Sequence, residues 1–238
     1  MAEELMGEMS GDNLRSVATN PGLTEDLALL LLNRSDLPAA VLDELARNPS
    51  AMQSHRVRSR VACHPHTPRH LAINVIRQLY TFELMQVALA PTALPEVIIA
   101  AEQAILMRLD KIAAGERITL GHRGSTRIAG ALLLDGDPRV IEAALDNGRL
   151  TEDFVLKAIM SPKASPVLLE LVSHHAKWSL RADLREALLR NEKLPVARAL
   201  ELAKLMPVRT LREILHDARL RENVRTFLEK EVQKRSGT

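Results

Sequence analysis

Val61-Ala62-Cys63-His64-Pro65-His66-Thr67-Pro68 reads as the end of one helix, a tight turn and the start of the next. Proline suits such a start, because at the first helical position its missing N–H leaves no bond unmade. The phrase returns as Val17-Ala18-Thr19-Asn20-Pro21, Leu45-Ala46-Arg47-Asn48-Pro49 and Val87-Ala88-Leu89-Ala90-Pro91, with weaker copies at 144–148, 158–162 and 188–192. Recurrence of this kind marks stacked helical repeats, in which each unit buries its apolar face only against its neighbours.

Other helix starts share one grammar. Thr24-Glu25-Asp26-Leu27 and Thr151-Glu152-Asp153-Phe154 each place a capping hydroxyl before two acids. The hydroxyl can accept from a free amide, and the acids sit at the positive end of the helix dipole. Thr67-Pro68 and Ser165-Pro166 put a hydroxyl before proline, and Pro38, Pro95 and Pro195 follow leucine in comparable places. Between these starts, stripes such as Leu27/Leu30/Leu31, Val41/Leu42/Leu45, Leu71/Val75/Leu79 and Leu211/Ile214/Leu215 recur at helical spacing. Starts at Pro38, Pro68 and Pro95, and again at Pro166 and Pro195, are separated by about 27 to 30 residues, the length of a two-helix unit.

Composition agrees with helices. Apolar residues make up 46% of the 238 and aromatics only 2%, so the core must be Leu, Ala, Val and Ile. The expectation is an all-α chain, a right-handed α-solenoid of short irregular repeats. It runs over 13–234 as one domain, with a flexible acidic N-terminus at 1–12 and a frayed tail at 235–238. The glycines of Ala114-Gly115 and Gly121-His122-Arg123-Gly124 break the rhythm, so a loop is expected near 114–125, followed by a helix from about Ser125 to Leu134.

These residues resemble the bacterial HEAT-like and leucine-rich-repeat-variant (LRV-like) solenoid families. The resemblance rests on the Val-Ala-x-x-Pro-x-x-Thr/Pro phrase and on Arg-bearing second helices such as Val57-Arg58-Ser59-Arg60-Val61-Ala62. It covers roughly residues 13–220 and implies a curved binding scaffold of the HEAT/ARM type. Some leucine-rich-repeat variants hold an iron–sulfur cluster on a cysteine-rich segment. This chain has one cysteine, Cys63, so that cofactor is not carried over, and no cofactor is expected.

The formal charge is only +2, yet it is unevenly spread. Residues 1–53 hold nine acids and three bases, 54–80 hold five arginines and no acid, and 177–238 hold fifteen bases and nine acids. Such zoning can guide an acidic partner, although many charge runs only solvate a face. The candidate binding residues are Arg56, Arg58, Arg60 and Arg69 in the basic belt, with His122, Arg123 and Arg127 around the glycine-bounded segment.

Cys63, His64, His66 and His70 form an outside candidate for zinc, since imidazole and thiolate are its usual ligands. Against it, His64 occupies the turn position that Asn20 and Asn48 fill elsewhere, where a side chain bonds the turn itself. The sequence carries no nucleophile elbow, His-Glu-x-x-His or Cys-x-x-Cys, so an enzyme is not expected.

The leading expectation is a non-catalytic scaffold for a protein or peptide, acidic in character. Nucleic-acid binding, including a DNA-glycosylase-like HEAT protein, is the alternative. The longest aliphatic run, Leu27 to Leu32, is too short to span a bilayer, so no membrane insertion and a cytoplasmic location are expected. The sequence gives no sign of an oligomeric state.

Overall fold

The computed structural model describes residues 11–236, and these are helical with no β-strand among them. They form two compact units, the first ending at Ile112 and the second starting at Ala113. The expected N-terminal tail lies outside the described residues except for Gly11 and Asp12, which open the first helix. Thr238 and Gly237 also lie outside them.

The first unit contains α1 (Gly11–Thr19), α2 (Glu25–Leu32), α3 (Ala39–Arg47), α4 (Pro49–Gln53), α5 (His55–Cys63), α6 (Arg69–Ile76), α7 (Thr81–Leu89) and α8 (Pro95–Leu106). Helices α1 and α3 touch, as do α6 and α8, while α2, α5 and α7 touch in series. Two rows result, cross-packed where α5 meets α6 and α7 meets α8. The short α4 is an extra turn inserted before α5. Leu31, Leu45, Val57, Val61, Leu84 and Ile105 are buried between the rows. Leu27, which the spacing places in an inward stripe, is exposed because α2 begins its row among the described residues.

The second unit contains α9 (Ala114–Arg123), α10 (Thr126–Leu132), α11 (Pro138–Leu145), α12 (Glu152–Met160), α13 (Pro166–His174), α14 (Ala182–Arg190), α15 (Val196–Leu205), α16 (Val208–Asp217) and α17 (Glu222–Ser236). Alternation is more regular here. Helices α9, α11 and α13 touch in series, α15 touches α17, and α10, α12, α14 and α16 touch in series. Its core is again aliphatic, with Leu120, Ile128, Val140, Ile159, Leu168, Leu188 and Ile214 buried. Trp178, in a 3-10 turn at Trp178–Leu180, is buried too, and its indole N–H donates to Leu145 O at 2.9 Å.

What joins neighbours within a row is polar and recurs in register. The last carbonyls of a helix have no intrahelical donor and must find one elsewhere. Asn48 donates to Ala18 O and Asn20 O, both at 2.8 Å, while its own oxygen accepts the Ser50 and Ala51 amides. Asn147, 1% exposed, donates to Gly121 O and Gly124 O and accepts from the Arg149 amide. Asn191 donates to Ile159 O and accepts from the Lys193 amide. His64 does the same work with a ring: Nδ1 accepts the His66 amide, so Nε2–H donates to Arg34 O at 2.8 Å.

A second rung lies two residues further on. Ser50 Oγ donates to Pro21 O, the His66 ring to Leu37 O, Thr92 Oγ1 to Cys63 O, and Lys193 Nζ to Pro162 O and Ala164 O. Each of these bonds spans between 29 and 31 residues, one repeat.

Several local expectations change. Helix α9 occupies most of the segment expected as a loop, because Gly121 serves close packing and not backbone freedom. No described residue has positive φ. A Cβ on Gly121 would stand 3.0 Å from Ala143 Cβ and 3.1 Å from Ala144 N, which explains the close approach of α9 to α11. Thr151 makes no side-chain cap, and Thr67 donates to Val61 O at 2.6 Å instead of capping α6. Ser165, Thr24 and Asp137 do cap their helices. Arg235, expected in a frayed tail, is anchored to Met206 O at 2.9 Å and Lys204 O at 2.8 Å.

The glycines give a paired test. A Cβ at Gly124 would meet Leu120 O at 2.5 Å, whereas one at Gly115, inside α9, would meet nothing within 4 Å. Gly124→Ala is expected to cost about 1–3 kcal/mol in urea unfolding, as overpacking does. Gly115→Ala is expected to add about 0.5–1 kcal/mol through helix propensity.

Candidate functional site

The basic belt does not form one open patch. Arg56 and Arg60 lie along α2, with Arg56 Nη1 2.9 Å from Glu25 Oε1 and Arg60 Nη2 3.3 Å from Asn33 Oδ1. Arg58 points elsewhere. Its Nε donates to Met52 O at 2.6 Å and its Nη2 to Gln53 O at 3.2 Å, so it fastens α4 to α5 and is a structural residue. Arg185 repeats this grip in the second unit, donating to Ser179 O and Leu180 O. Arg69 is exposed in the first turn of α6.

The histidine-rich stretch is likewise committed to turns. His64 and His66 hold Arg34 O and Leu37 O, His70 is exposed, and His55 packs 4.4 Å from the Tyr80 ring with Nδ1 3.2 Å from Glu83 Oε1. Among the described residues, no three His, Cys, Asp or Glu side chains converge as a metal site. Burial pushes the Cys63 thiol up to about 11, against a smaller opposite pull from Arg60. The neutral thiol is the favoured form there, which suits a packed residue and not a ligand or nucleophile.

The remaining shifted groups are exposed ion pairs. A hydrogen bond from Arg34 lowers Asp36, one from Arg139 lowers Asp137, and one from His216 lowers Asp217. These are scattered pairs, not a cluster in a cleft.

Sequence reading missed an apolar concavity. In the second unit a groove of about 810 Å³ lies between α12 and α14, in the row that also contains α16. Its lining combines the apolar Leu156, Ile159, Met160, Pro162 and Ala187 with the charged Asp183, Glu186, Arg190 and Arg219. Met160 is 71% exposed, a large apolar side chain left at the groove's edge. Arg190 is held by Glu186 at 2.9 Å, while Asp183 and Arg219 are exposed. The groove joins residues about thirty apart on different helices, so only their repeat register could have brought them together beforehand.

His122, Arg123 and Arg127 do come together, around the turn from α9 to α10. His122 and Arg123 end α9 and are exposed, and Arg127 is the second residue of α10 and half-buried. Thr126 Oγ1 donates to Arg149 O at 2.7 Å, so a further arginine adjoins this turn.

No protein-family model, curated protein or solved structure is a match for this chain. Among the described residues no helix is long and apolar enough to cross a membrane.

Burial of Cys63 can be checked by alkylation. A thiol shifted from 9.0 to about 11 holds roughly a hundredfold less thiolate at pH 8. Iodoacetamide should therefore label the native chain at least a hundredfold more slowly than the urea-unfolded chain. Equal rates would contradict the half-buried, desolvated placement of the thiol.

Proposed function

We propose that this protein is a non-catalytic interaction scaffold of the α-solenoid type, docking a segment of a protein partner in the α12–α14 groove. The solenoid reading is supported within each unit by helices that touch alternate helices, and by rungs that tie each turn to the one a repeat earlier. This is the arrangement expected of HEAT-like and leucine-rich-repeat-variant stacks. The groove is the single observation that carries the binding role.

Its chemistry selects a kind of segment. Leu156, Met160 and Ala187 offer an apolar slot wide enough for a large side chain, and burying one leucine or phenylalanine there contributes about 1.5–3 kcal/mol. Asp183 lies toward the start of α14, whereas Arg219 follows the end of α16. A complementary segment carries a basic residue on the Asp183 side and an acidic one on the Arg219 side of its apolar anchor. Charge then sets orientation while the anchor supplies most of the affinity.

A displayed library of 12-residue peptides tests this. Selected peptides are expected to share one large apolar residue with flanking charges of opposite sign, and to lose at least tenfold in affinity against Ala187→Trp, which fills the slot. Ile99→Arg, on the exposed face of α8, should leave binding unchanged. No enrichment, or peptides indifferent to Ala187→Trp, would overturn the groove as the docking site.

A further inference from the structure

We infer that the turn edge of the second unit carrying Arg123, Arg149 and Lys177 is a separate anion-recognition strip for an extended acidic peptide. It lies on the row of α9, α11 and α13, not on the row that builds the groove, so it does not depend on the groove's occupant.

Three consecutive turns are fastened side by side. Asn147 ties its turn to Gly121 O and Gly124 O, and Thr126 ties back to Arg149 O. Trp178 then ties the next turn to Leu145 O, and His175 Nε2 meets Asp146 Oδ1 at 3.1 Å. The exposed cations Arg123, Arg149 and Lys177 therefore stand one per turn along a single edge.

What singles these residues out is that they hold the same place in neighbouring turns of one row, whereas Lys163 holds it alone in the other row, the neighbouring Lys193 being tied to carbonyls. Arg149 and Lys177 sit two residues after Asn147 and His175, each donating its amide to that residue's side chain. In four other turns the side chain at this place is used up in the second rung: Ser50, His66, Thr92 and Lys193. Lys193 shows that a lysine can reach the earlier carbonyls. At 149 and 177 the charged ends make no rung and no ion pair among the described residues. Lys177 Nζ is instead parked 3.9 Å over the Trp178 ring, which fixes the ammonium while leaving its outer side open. Two adjacent turns thus give up a structural bond and present a cation. Asp146 is already engaged by His175, and Glu152 lies 3.7 Å from Arg181, while Asp153 is exposed in the first turn of α12.

Spacing names the ligand. Neighbouring helices of one row pack about 8–10 Å apart, and so do the turns that end them. A polyproline-II chain repeats every three residues, about 9 Å. A carboxylate at every third residue therefore meets one cation per turn. Binding of this kind is dominated by screened charge and weakens with salt.

The experiment uses the full chain and three probes of equal charge: a peptide (Glu-Pro-Pro)4, a peptide of identical composition with its four glutamates contiguous, and an oligothymidylate with four phosphates. Anisotropy is read at 20 and 200 mM NaCl. The spaced peptide is expected to bind at least fivefold tighter than the clustered one, and to lose at least tenfold at the higher salt. The double variant Arg149→Ser/Lys177→Ser should lose at least tenfold with an unchanged circular dichroism spectrum, and Arg123→Glu, on an exposed position, should reproduce the loss. Lys163→Ser, which alters the equivalent place in the other row, should change binding less than twofold. Absence of peptide binding at 20 mM, equal binding of the clustered peptide, tighter binding of the oligonucleotide, or indifference to both variants would each overturn the assignment. None of these outcomes bears on Ala187→Trp, so the strip and the groove stand or fall separately.

Discussion

Several helices in this protein end on carbonyls that their own ladder cannot satisfy, and a side chain one repeat later satisfies them. That exchange is the constraint on which the rest depends. A buried amide such as Asn147 makes three hydrogen bonds at once, two to the preceding turn and one within its own. The net gain of each bond is modest, about 1 kcal/mol, but leaving the carbonyls or the amide unpaired would cost about 1–3 kcal/mol per group. The bonds also fix register, since they form only when successive turns lie side by side. Aliphatic packing supplies the driving force between rows; the polar rungs decide which turn meets which.

The same constraint organises the surface. Side chains at fixed places in the turn are spent on rungs, so surface chemistry is confined to places where the repeat departs from its rule. Arg58 and Arg185 show basic residues absorbed by backbone, each gripping carbonyls five and six residues upstream. Arg149 and Lys177 show the reverse, cations standing where a rung would be. The groove lies where the small Ala187 on α14 and the end of α12 line one concavity.

Much of the helical plan was legible beforehand, because it is written in local chemistry. The Asn-Pro and His-Pro phrases mark turns wherever they occur, and reading His64 as a stand-in for asparagine needs only its place in the phrase. The segment at 114–125 was misread because glycine has two uses. Gly121 permits close approach of α11, a contact with residues more than twenty positions away, and nothing local distinguishes that from a loop. The grip of Arg58 was out of reach for a related reason: the carbonyls it holds belong to α4, an inserted turn. The groove and the strip both require knowing which turn neighbours which.

Hydrogen exchange on the native Asn147→Leu chain tests the rung most directly, since leucine nearly preserves volume and removes every bond the amide makes. Loss of protection is predicted in both α9 and α11, together with a fall of about 1–3 kcal/mol in unfolding free energy. Protection unchanged in α9, with stability within about 0.5 kcal/mol of the parent, would mean that aliphatic packing alone sets the stack and that the ladder is incidental.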